Sequence, residues 1–247
     1  MTHEMYLLKD NDLILRDPEL DIDITCPCDS TVSRLTYADG TLKAEMHYAQ
    51  GQLHGPSTFF AHTGQILAQS WYVNGKKMGK VKYYYTSGQL ASLQRFKEGQ
   101  AEGLQEYWYE KGTVKSLLPY KKGKLHGEVR LYWESGHFKR LIHYVHGVRH
   151  GLDQLWNEQG VLIDSGEYSE GQPTGLHQRF YSHGILREEI FYHTPARYDQ
   201  KEWNPDGKLM VEGIYAPDLT YTERSFLEPR GATVKRGYWD GQRLRWK

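Results

Sequence analysis

Six glycine residues, each 24 residues after the previous one, divide most of the chain into copies of a single unit. They are Gly55, Gly79, Gly103, Gly127, Gly151 and Gly175. Two more glycine columns keep the same period, one from Gly40 to Gly184 and the other from Gly51 to Gly171. A fixed period of this length is the signature of a repeat protein, in which each unit packs mainly on its neighbours. The period, rather than local propensity, therefore decides the architecture.

Each unit consists of two similar halves, and each half has the length of one strand and one turn. Aromatic residues recur in two columns 12 residues apart; the first runs from Phe60 to Phe180, and the second includes Tyr72, Tyr120, Tyr144 and Tyr168. Strands favour aromatic residues, and glycine adopts the positive φ that tight hairpin turns require. A helix is excluded, because each glycine in its interior would cost about 1 kcal/mol. The pattern predicts an all-β fold, namely an elongated repeat array of antiparallel β-hairpins in a single extended twisted sheet.

The period divides the chain into three regions. Residues 31–198 form the array, with a partial first unit at 31–54 and six units at 55–198. Residues 1–30 contain a short hairpin around residues 9–12, and we expect them to form an N-terminal cap that hides a strand edge. Residues 199–247 echo the pattern less regularly and contain Pro205, Pro217 and Pro229, which suit edges and turns. They are predicted to be degenerate repeats and a C-terminal cap.

One column of the repeat changes its chemistry along the chain. Two residues after an apolar position, the early units carry small side chains: Ala44, Ala68, Ser92 and Ser116. The later units carry Arg140, Asp164 and Glu188 at the same position. Small residues indicate close packing, whereas charged residues indicate a more open position. We therefore expect a partner-specific surface in the C-terminal units.

One unit contains the segments Tyr107-Trp108-Tyr109, Gly112, Val114, Tyr120 and Gly123-Lys124-Leu125-His126-Gly127. The unit therefore contains, in this order, aromatic residues, a turn glycine, an apolar residue, a further aromatic residue and a final His-Gly. The pattern resembles the MORN repeat, and more closely its variant in bacterial proteins of the YwqK-type, antitoxin-like family. The resemblance covers roughly residues 37–198. It implies an elongated β-sheet of successive hairpins with a binding or scaffolding role.

Composition argues against several other classes of protein. No apolar run approaches the ~18 residues of a membrane-spanning helix, and the first residues lack the pattern of a signal peptide. Cys26 and Cys28 are too few for a disulfide framework. We expect a cytoplasmic protein, with export by a route that leaves no cleavable signal as the alternative.

The net charge is zero, but the charged residues are unevenly distributed. Residues 1–56 carry 4 basic and 10 acidic side chains, whereas residues 76–149 carry 15 basic and 6 acidic ones. Lysines of this basic zone lie mostly in the turns between units: Lys76, Lys77, Lys80, Lys82, Lys121, Lys122 and Lys124. Aligned turns would place them in a row along one edge of the sheet, and with Arg140 they form a candidate binding surface. The alternative is that edge lysines only prevent aggregation of the sheet.

Histidine is the first candidate for metal chemistry. His143, His146 and His150 lie close together, as metal ligands do. However, His150 shares its repeat position with His54 and His126, just before a turn glycine, and His146 stands where other units have a turn residue. A side-chain bond to the local backbone is therefore the favoured role for these histidines.

No other motif points to catalysis. Cys26-Pro27-Cys28 lacks the second cysteine pair of a common zinc site. The chain contains no nucleophile elbow, no phosphate-binding loop and no dinucleotide fingerprint. We expect no catalytic residues, no metal and no cofactor, and hence no enzyme.

These observations favour a non-enzymatic protein-interaction or scaffold module. In its antitoxin or immunity version, the partner is a toxin or effector whose active site is blocked. Peripheral binding to anionic lipid through the lysine-rich edge at residues 76–149 is the main alternative. Carbohydrate binding is a weaker one, because choline-binding hairpin repeats begin with a Gly-Trp that is missing here. Nucleic acid is disfavoured as a ligand, and a homodimer is compatible with the sequence.

Overall fold

The protein is built from β-strands. The structure is a computed structural model that describes residues 8–9, 12–26, 30–216, 221–225, 233–239 and 244–246. No helix, and so none able to cross a membrane, occurs within these residues. The chain forms two compact parts, Met1–Gly127 and Glu128–Lys247, which we call the N-terminal and C-terminal modules. The strands are β1 (Leu8–Lys9), β2 (Asp12–Asp17), β3 (Ile22–Cys26), β4 (Thr31–Thr36), β5 (Leu42–Ala49), β6 (Gln52–Phe60), β7 (Ile66–Val73), β8 (Lys76–Tyr84), β9 (Leu90–Lys97), β10 (Gln100–Ala101), β11 (Gly103–Trp108), β12 (Val114–Lys121), β13 (Lys124–Leu125), β14 (Gly127–Tyr132), β15 (Phe138–Val145), β16 (Val148–Trp156), β17 (Leu162–Ser169), β18 (Gln172–Phe180), β19 (Leu186–Thr194), β20 (Arg197–Trp203), β21 (Leu209–Tyr215), β22 (Tyr221–Ser225), β23 (Thr233–Trp239) and β24 (Leu244–Trp246).

Consecutive strands pair antiparallel within each module. In the N-terminal module the pairing runs from β4 to β9 and continues through β11 and β12. In the C-terminal module it runs from β15 to β24. The predictions of an all-β fold and of an antiparallel hairpin repeat are therefore confirmed.

One end of each hairpin is closed by a tight turn that ends in glycine. Gly64 N–H donates to the carbonyl oxygen of Ala61 at 2.9 Å, and Ala61 N–H donates to that of Gln65 at 2.7 Å. The φ of Gly64 is +83°, which side chains disfavour, so glycine recurs at this position. The ladder shifts register just before the turn, between Phe59 and Phe60. The same turn bonds are made at Gly40, Gly88, Gly112, Gly136, Gly160, Gly184 and Gly207.

The opposite end of the strands carries a two-residue turn. Asn74 and Gly75 have φ values of 47° and 76°, and Val73 pairs with Lys76 across the turn. Two successive positive φ values are typical of a type I′ turn, whose twist matches that of the strands it joins. Its first residue is polar in each repeat: Gln50, Asn74, Glu98, Lys122, His146 and Glu170. His146 therefore has the turn role that its repeat position predicts.

Hydrogen bonds join neighbouring repeats at both ends of the strands. At the two-residue turns, Gly75 N–H donates to the carbonyl oxygen of Leu53 at 2.8 Å. Equivalent bonds are made by Gly99, Gly123 and Gly171. At the opposite end, the Tyr85 hydroxyl donates to the carbonyl oxygen of Trp108 at 2.8 Å. Consecutive two-residue turns are consequently stacked on one another within a module.

The N-terminal segment forms a separate small sheet of β1, β2 and β3. Leu15, Leu20 and Ile22 of this sheet pack against Trp71 and Met78 of the repeat strands, and all five side chains are buried. In the described residues, this sheet shares no ladder with the repeats. The expected cap on a strand edge is thus placed on a face of the repeat strands, because its apolar side chains find an apolar partner surface there.

The hairpin pattern continues beyond residue 198. Tyr198 pairs with Tyr215 across β20 and β21, and the turn at Gly207 has the bonds of the regular repeats. Antiparallel pairing then extends through β22, β23 and β24. Pro217 and Pro229 lie outside the described residues, and so do Pro27 and Cys28 of the cysteine motif.

Candidate functional site

A row of charged side chains crosses the C-terminal module. Arg140 pairs with Leu155, which also pairs with Asp164 on its other side. Asp164 in turn pairs with Arg179, which pairs with Glu188. Because paired residues of an antiparallel ladder share a face, these charges all lie on one side of the sheet. We call Arg140, Asp153, Asp164, Arg179 and Glu188 the charged face.

Asp153 lies at one end of the charged face, two residues before Leu155 in β16. Its side chain is buried, with the residue only 5% exposed. Arg140 donates from Nε and Nη2 to the two carboxylate oxygens of Asp153, both at 2.9 Å. Arg149 Nη1 donates to Oδ2 of the same carboxylate at 3.3 Å. The hydrogen bond to Asp153 raises the pKa of Arg140, so the guanidinium group of this two-pronged pair stays charged in neutral solution.

The other end of the charged face has an excess of carboxylates. Arg179 Nε donates to Asp164 Oδ2 at 3.2 Å, and its Nη1 donates to Glu188 Oε2 at 2.8 Å. Glu188 lies directly across from Glu202 in the ladder, where like charges repel. Gln200 Nε2 bridges them, donating to Glu188 Oε1 at 2.8 Å and to Glu202 Oε1 at 2.9 Å. This end is therefore acidic, whereas two guanidinium groups surround Asp153 at the other.

His177 is held between two tyrosine rings next to the charged face. Its ring meets Tyr168 and Tyr192 edge to face, with centroid separations of 5.2 and 4.9 Å. His177 Nε2 is 2.7 Å from the carbonyl oxygen of Glu167; because a carbonyl only accepts, Nε2 carries the hydrogen. A Cβ at Gly166 would overlap the imidazole. Glycine is thus needed at this position for the close approach of His177.

These side chains line a cavity of about 250 Å³, to which Leu155, Ser165, Gln178 and Ile190 also contribute. Burial raises the pKa of Tyr192, and the charge of Glu188 raises it further. Its hydroxyl is therefore neutral in ordinary solution and serves as a hydrogen-bonding group. The cavity offers donors, acceptors and charges of both signs, which suits the binding of a polar segment carrying charges of its own.

Asp153 and His177 were not candidates in the sequence, although the repeat contains a signal for them. They continue a 24-residue column that begins with Ser57, Val81, Gln105 and Val129. The members from Ser57 to Asp153 are all buried. The change from uncharged residues to aspartate and histidine in this column marks the same part of the chain as the change at Arg140.

The structure brings four of the predicted lysines to the stacked turns of the N-terminal module. Lys76, Lys121, Lys122 and Lys124 are exposed in or beside two-residue turns, and we call them the lysine edge. Lys77 flanks such a turn too, but its Nζ donates to the Tyr83 hydroxyl at 3.1 Å. The candidate surface is thus partly assembled, with its stacked turns joined by backbone hydrogen bonds.

Two of the predicted lysines lie in the interior of β8, away from the turns. Lys80 Nζ is 3.3 Å from Glu19 Oε2 and 3.6 Å from Asp17 Oδ2, and its side chain is 8% exposed. Lys82 pairs with Leu93 in the ladder. Lys80 is therefore not the exposed cation expected from the sequence, because the N-terminal sheet covers it. Arg140 belongs to the charged face of the C-terminal module.

The histidine candidates contact neighbouring backbone and side chains. Asn74 N–H donates to His54 Nδ1 at 3.3 Å, the kind of bond predicted for this repeat position. His143 has its Nδ1 at 3.3 Å from the carbonyl oxygen of Leu152 and its Nε2 at 3.2 Å from Glu128 Oε2. Within the described part of the chain, no three or more His, Cys, Asp or Glu side chains are grouped to hold a metal ion.

Comparison with known proteins agrees with the hairpin architecture. The family model of the MORN repeat variant matches residues 79–98, 101–122, 125–146 and 173–193. These four segments of the chain are similar to the MORN repeat variant. Repeats of this kind generally act as protein- or membrane-interaction modules. The residues that carry the resemblance, from Tyr107 to Gly127, fall within and between two of the matched segments.

The remaining comparisons add no functional information. No curated protein matches the chain. The crystal structure of TcdB2-TccC3 matches with 11% sequence identity, over 95% of this chain and 18% of that chain. Its TM-score of 0.21 is too low to support an argument about fold or function.

Proposed function

We propose that this protein is a non-enzymatic module that binds a partner protein through the charged face. The observation that carries the proposal is the cavity of about 250 Å³ and the ion pairs that line it. The pairs of Arg179 with Asp164 and Glu188 contribute little stability, because the Arg179 side chain is 60% exposed and solvent screens its charge. The N-terminal module forms the same hairpins with small and aromatic residues in this row, so the fold does not need the charges.

The charges of the face limit the chemistry of the partner. One end presents Arg140 and Arg149 around Asp153, and the other presents Asp164 and Glu188 around Arg179. A complementary segment would carry an acidic group towards the first end and a basic group towards the second. In the antitoxin or immunity version of the proposal, which rests on the family resemblance alone, this segment belongs to a toxin or effector.

The test is capture of the partner by the tagged full-length chain, followed by cross-linking and mass spectrometry. We expect one stoichiometric protein, cross-linked to β16–β19. A variant with Asp164→Asn and Glu188→Gln should lose most of this partner, whereas Glu158→Gln in an exposed turn of the same module should retain it. Equal capture by all three proteins would exclude the charged face as the binding site.

Binding to anionic lipid is a second candidate, which the lysine edge supports. Gly99 N–H donates to the backbone carbonyl oxygen of Lys77, and Gly123 N–H donates to that of Ala101, each at 2.9 Å. The turns that carry the lysines are therefore stacked. Each lysine near an anionic surface contributes about 1 kcal/mol of attraction. We expect flotation with phosphatidylserine vesicles to be lost on changing Lys121, Lys122 and Lys124 to Glu. Lys111→Glu, in a turn at the opposite end of the strands, is the matched control.

A further inference from the structure

The small N-terminal sheet covers a surface of the repeats that is both apolar and basic. Its apolar residues Leu15, Leu20 and Ile22 are 4–6% exposed and pack against Trp71 and Met78, which are 2% and 8% exposed. The described contacts are made by side chains, and no described ladder joins the hairpin of β2 and β3 to the repeats, so the hairpin belongs to a sheet of its own.

Acidic residues of the same hairpin lie on basic residues of β8 and β9. Glu19 contacts Lys80 Nζ at 3.3 Å through Oε2 and Arg95 Nε at 3.0 Å through Oε1. Asp21 Oδ2 is 3.7 Å from Lys97 Nζ, and this ammonium group also donates to the carbonyl oxygen of Leu20 at 3.1 Å. The acidic start of the chain thus neutralises part of its basic zone within the N-terminal module.

The polar part of this contact is incompletely hydrogen-bonded. Asp17 Oδ2 and Arg95 Nε are buried and make no hydrogen bond of normal geometry, although each lies within ion-pair distance of an opposite charge, Lys80 and Glu19 respectively. The separation of 3.6 Å between Asp17 Oδ2 and Lys80 Nζ exceeds that of a normal hydrogen bond. Buried charged groups that lack hydrogen bonds destabilise a contact. A partner carboxylate that hydrogen-bonds to Arg95 Nε would therefore compete well with the hairpin, and Asp17, which belongs to β2, would leave the surface with the hairpin.

We propose that Trp71, Met78, Lys80, Arg95 and Lys97 form a docking surface for an acidic, apolar β-hairpin of a partner protein. The chain's own hairpin of β2 and β3 occupies this surface until the partner displaces it. The chemistry expected of the partner segment is that of the chain's own hairpin. In this hairpin, Ile22 and Ile24 alternate with Asp23 in β3, and an acidic turn precedes β3. This inference concerns the N-terminal module and does not rest on the function proposed for the charged face.

A labelled peptide of residues 12–26, with serine in place of Cys26, serves as the probe. The full-length chain should bind it weakly, because the native hairpin occupies the surface. Changing Leu15 and Leu20 to Asp should release that hairpin and tighten peptide binding about tenfold or more, since the fraction of open sites sets the apparent affinity. Adding Lys80→Glu to this variant should abolish the gain, whereas adding Lys111→Glu should not.

Folding of each variant is verified by far-UV circular dichroism and thermal unfolding. Absence of peptide binding by the folded, released variant would overturn the proposal, and so would equal binding by the native chain. Hydrogen exchange on the full-length chain with Lys80→Glu alone gives a second test. Residues 12–26 should exchange several times faster than in the native chain while β7 and β9 keep their protection. Unchanged exchange of residues 12–26 would show that the hairpin is not held by this surface.

Discussion

The two modules contain the same hairpin repeat but carry different chemistry on one row of the sheet. In the N-terminal module, Ala68 pairs with Phe59 on one side and Tyr83 on the other. In the C-terminal module, Asp164 has the equivalent position and pairs with Arg179. Since both rows are built on the same turns and the same ladder, the backbone requires neither chemistry. The repeat therefore supplies the scaffold, and this row is where the modules differ in what they can bind.

The buried column beside this row shows how the C-terminal module accommodates its charges. Ser57 is 1% exposed and its equivalent Asp153 is 5% exposed. The ladder neighbours of Ser57 are Met46 and Ser70, neither of which is basic. Asp153, in contrast, receives two hydrogen bonds from Arg140. A buried carboxylate is tolerated in the C-terminal module because its counter-ions accompany it.

The largest expected effect comes from moving the aspartate alone into the N-terminal module. Ser57→Asp buries a carboxylate without a cation, and we expect the free energy of unfolding to fall by about 3 kcal/mol. Denaturant-induced unfolding measures the change. Ser57→Asn is the control for size and should cost clearly less. Equal losses for the two variants would mean that space, and not charge, distinguishes the modules at this position.

The reverse change removes the charge from the C-terminal module. Asp153→Asn keeps the size of the side chain but leaves Arg140 and Arg149 without their shared counter-ion. We expect a loss of about 2 kcal/mol in unfolding free energy, because charged hydrogen bonds are replaced by weaker ones. Partner capture should fall as well. A stability equal to that of the native chain would show that the ion pairs are not coupled to folding.

A smaller effect is expected at the glycine that admits His177. Gly166→Ala places a Cβ against the imidazole, and the partly exposed ring has to move. Overpacking of this kind costs about 1 kcal/mol when the neighbour yields. His177→Ala in the same chain should remove the penalty, which a double-mutant cycle would measure. An undiminished penalty in the double variant would assign the loss to the backbone instead.

Much of the fold was predictable because glycine columns report turn geometry directly. The positive φ at Gly64 and at the Asn74-Gly75 turn explains why these positions recur every 24 residues. The column of Arg140, Asp164 and Glu188 indicated the C-terminal repeats, and these three residues line the cavity found there. Asp153 and His177 also line that cavity. The sequence does not single them out, because their column begins with ordinary buried residues such as Ser57 and Val81.

The position of the N-terminal segment could not be derived from the period. Acidic and apolar residues alternate in β3, which identifies a strand but not the surface on which it lies. Contacts such as Glu19 with Arg95 connect parts of the chain that share no repeat position. The same contacts explain why Lys80, a lysine of the basic zone by sequence, is covered in the structure. Repeat spacing predicts contacts between repeats and says little about non-repeated segments.

The smallest expected effect is on the pH dependence of stability, and it is measured at one tyrosine in each module. Burial raises the pKa of Tyr107, and electrostatic interactions with Tyr120 and Tyr83 raise it further. Burial also raises the pKa of Tyr192, but here it is the carboxylate of Glu188 that raises the pKa further. The pKa of tyrosine in the unfolded chain is 10.0. When folding raises the pKa of a group, its contribution to stability is fully present below the unfolded pKa. That contribution is lost as the pH rises through the pKa of the folded state. Stability should therefore decrease above about pH 10, and less steeply in Tyr107→Phe or Tyr192→Phe.

Glu188→Gln separates the two tyrosines. It removes the carboxylate that raises the pKa of Tyr192, so it should lower the pKa of that tyrosine and make the decrease in stability at high pH less steep. Adding Tyr192→Phe to it should then change the slope less than Tyr192→Phe does in the native chain, whereas Tyr107→Phe should have the same effect in both backgrounds. Denaturant unfolding at about pH 8 and about pH 11 provides the slopes. If Glu188→Gln changed the effects of both substitutions equally, the charged face would not act locally on Tyr192, and the electrostatic difference between the modules would have to arise from their overall charge.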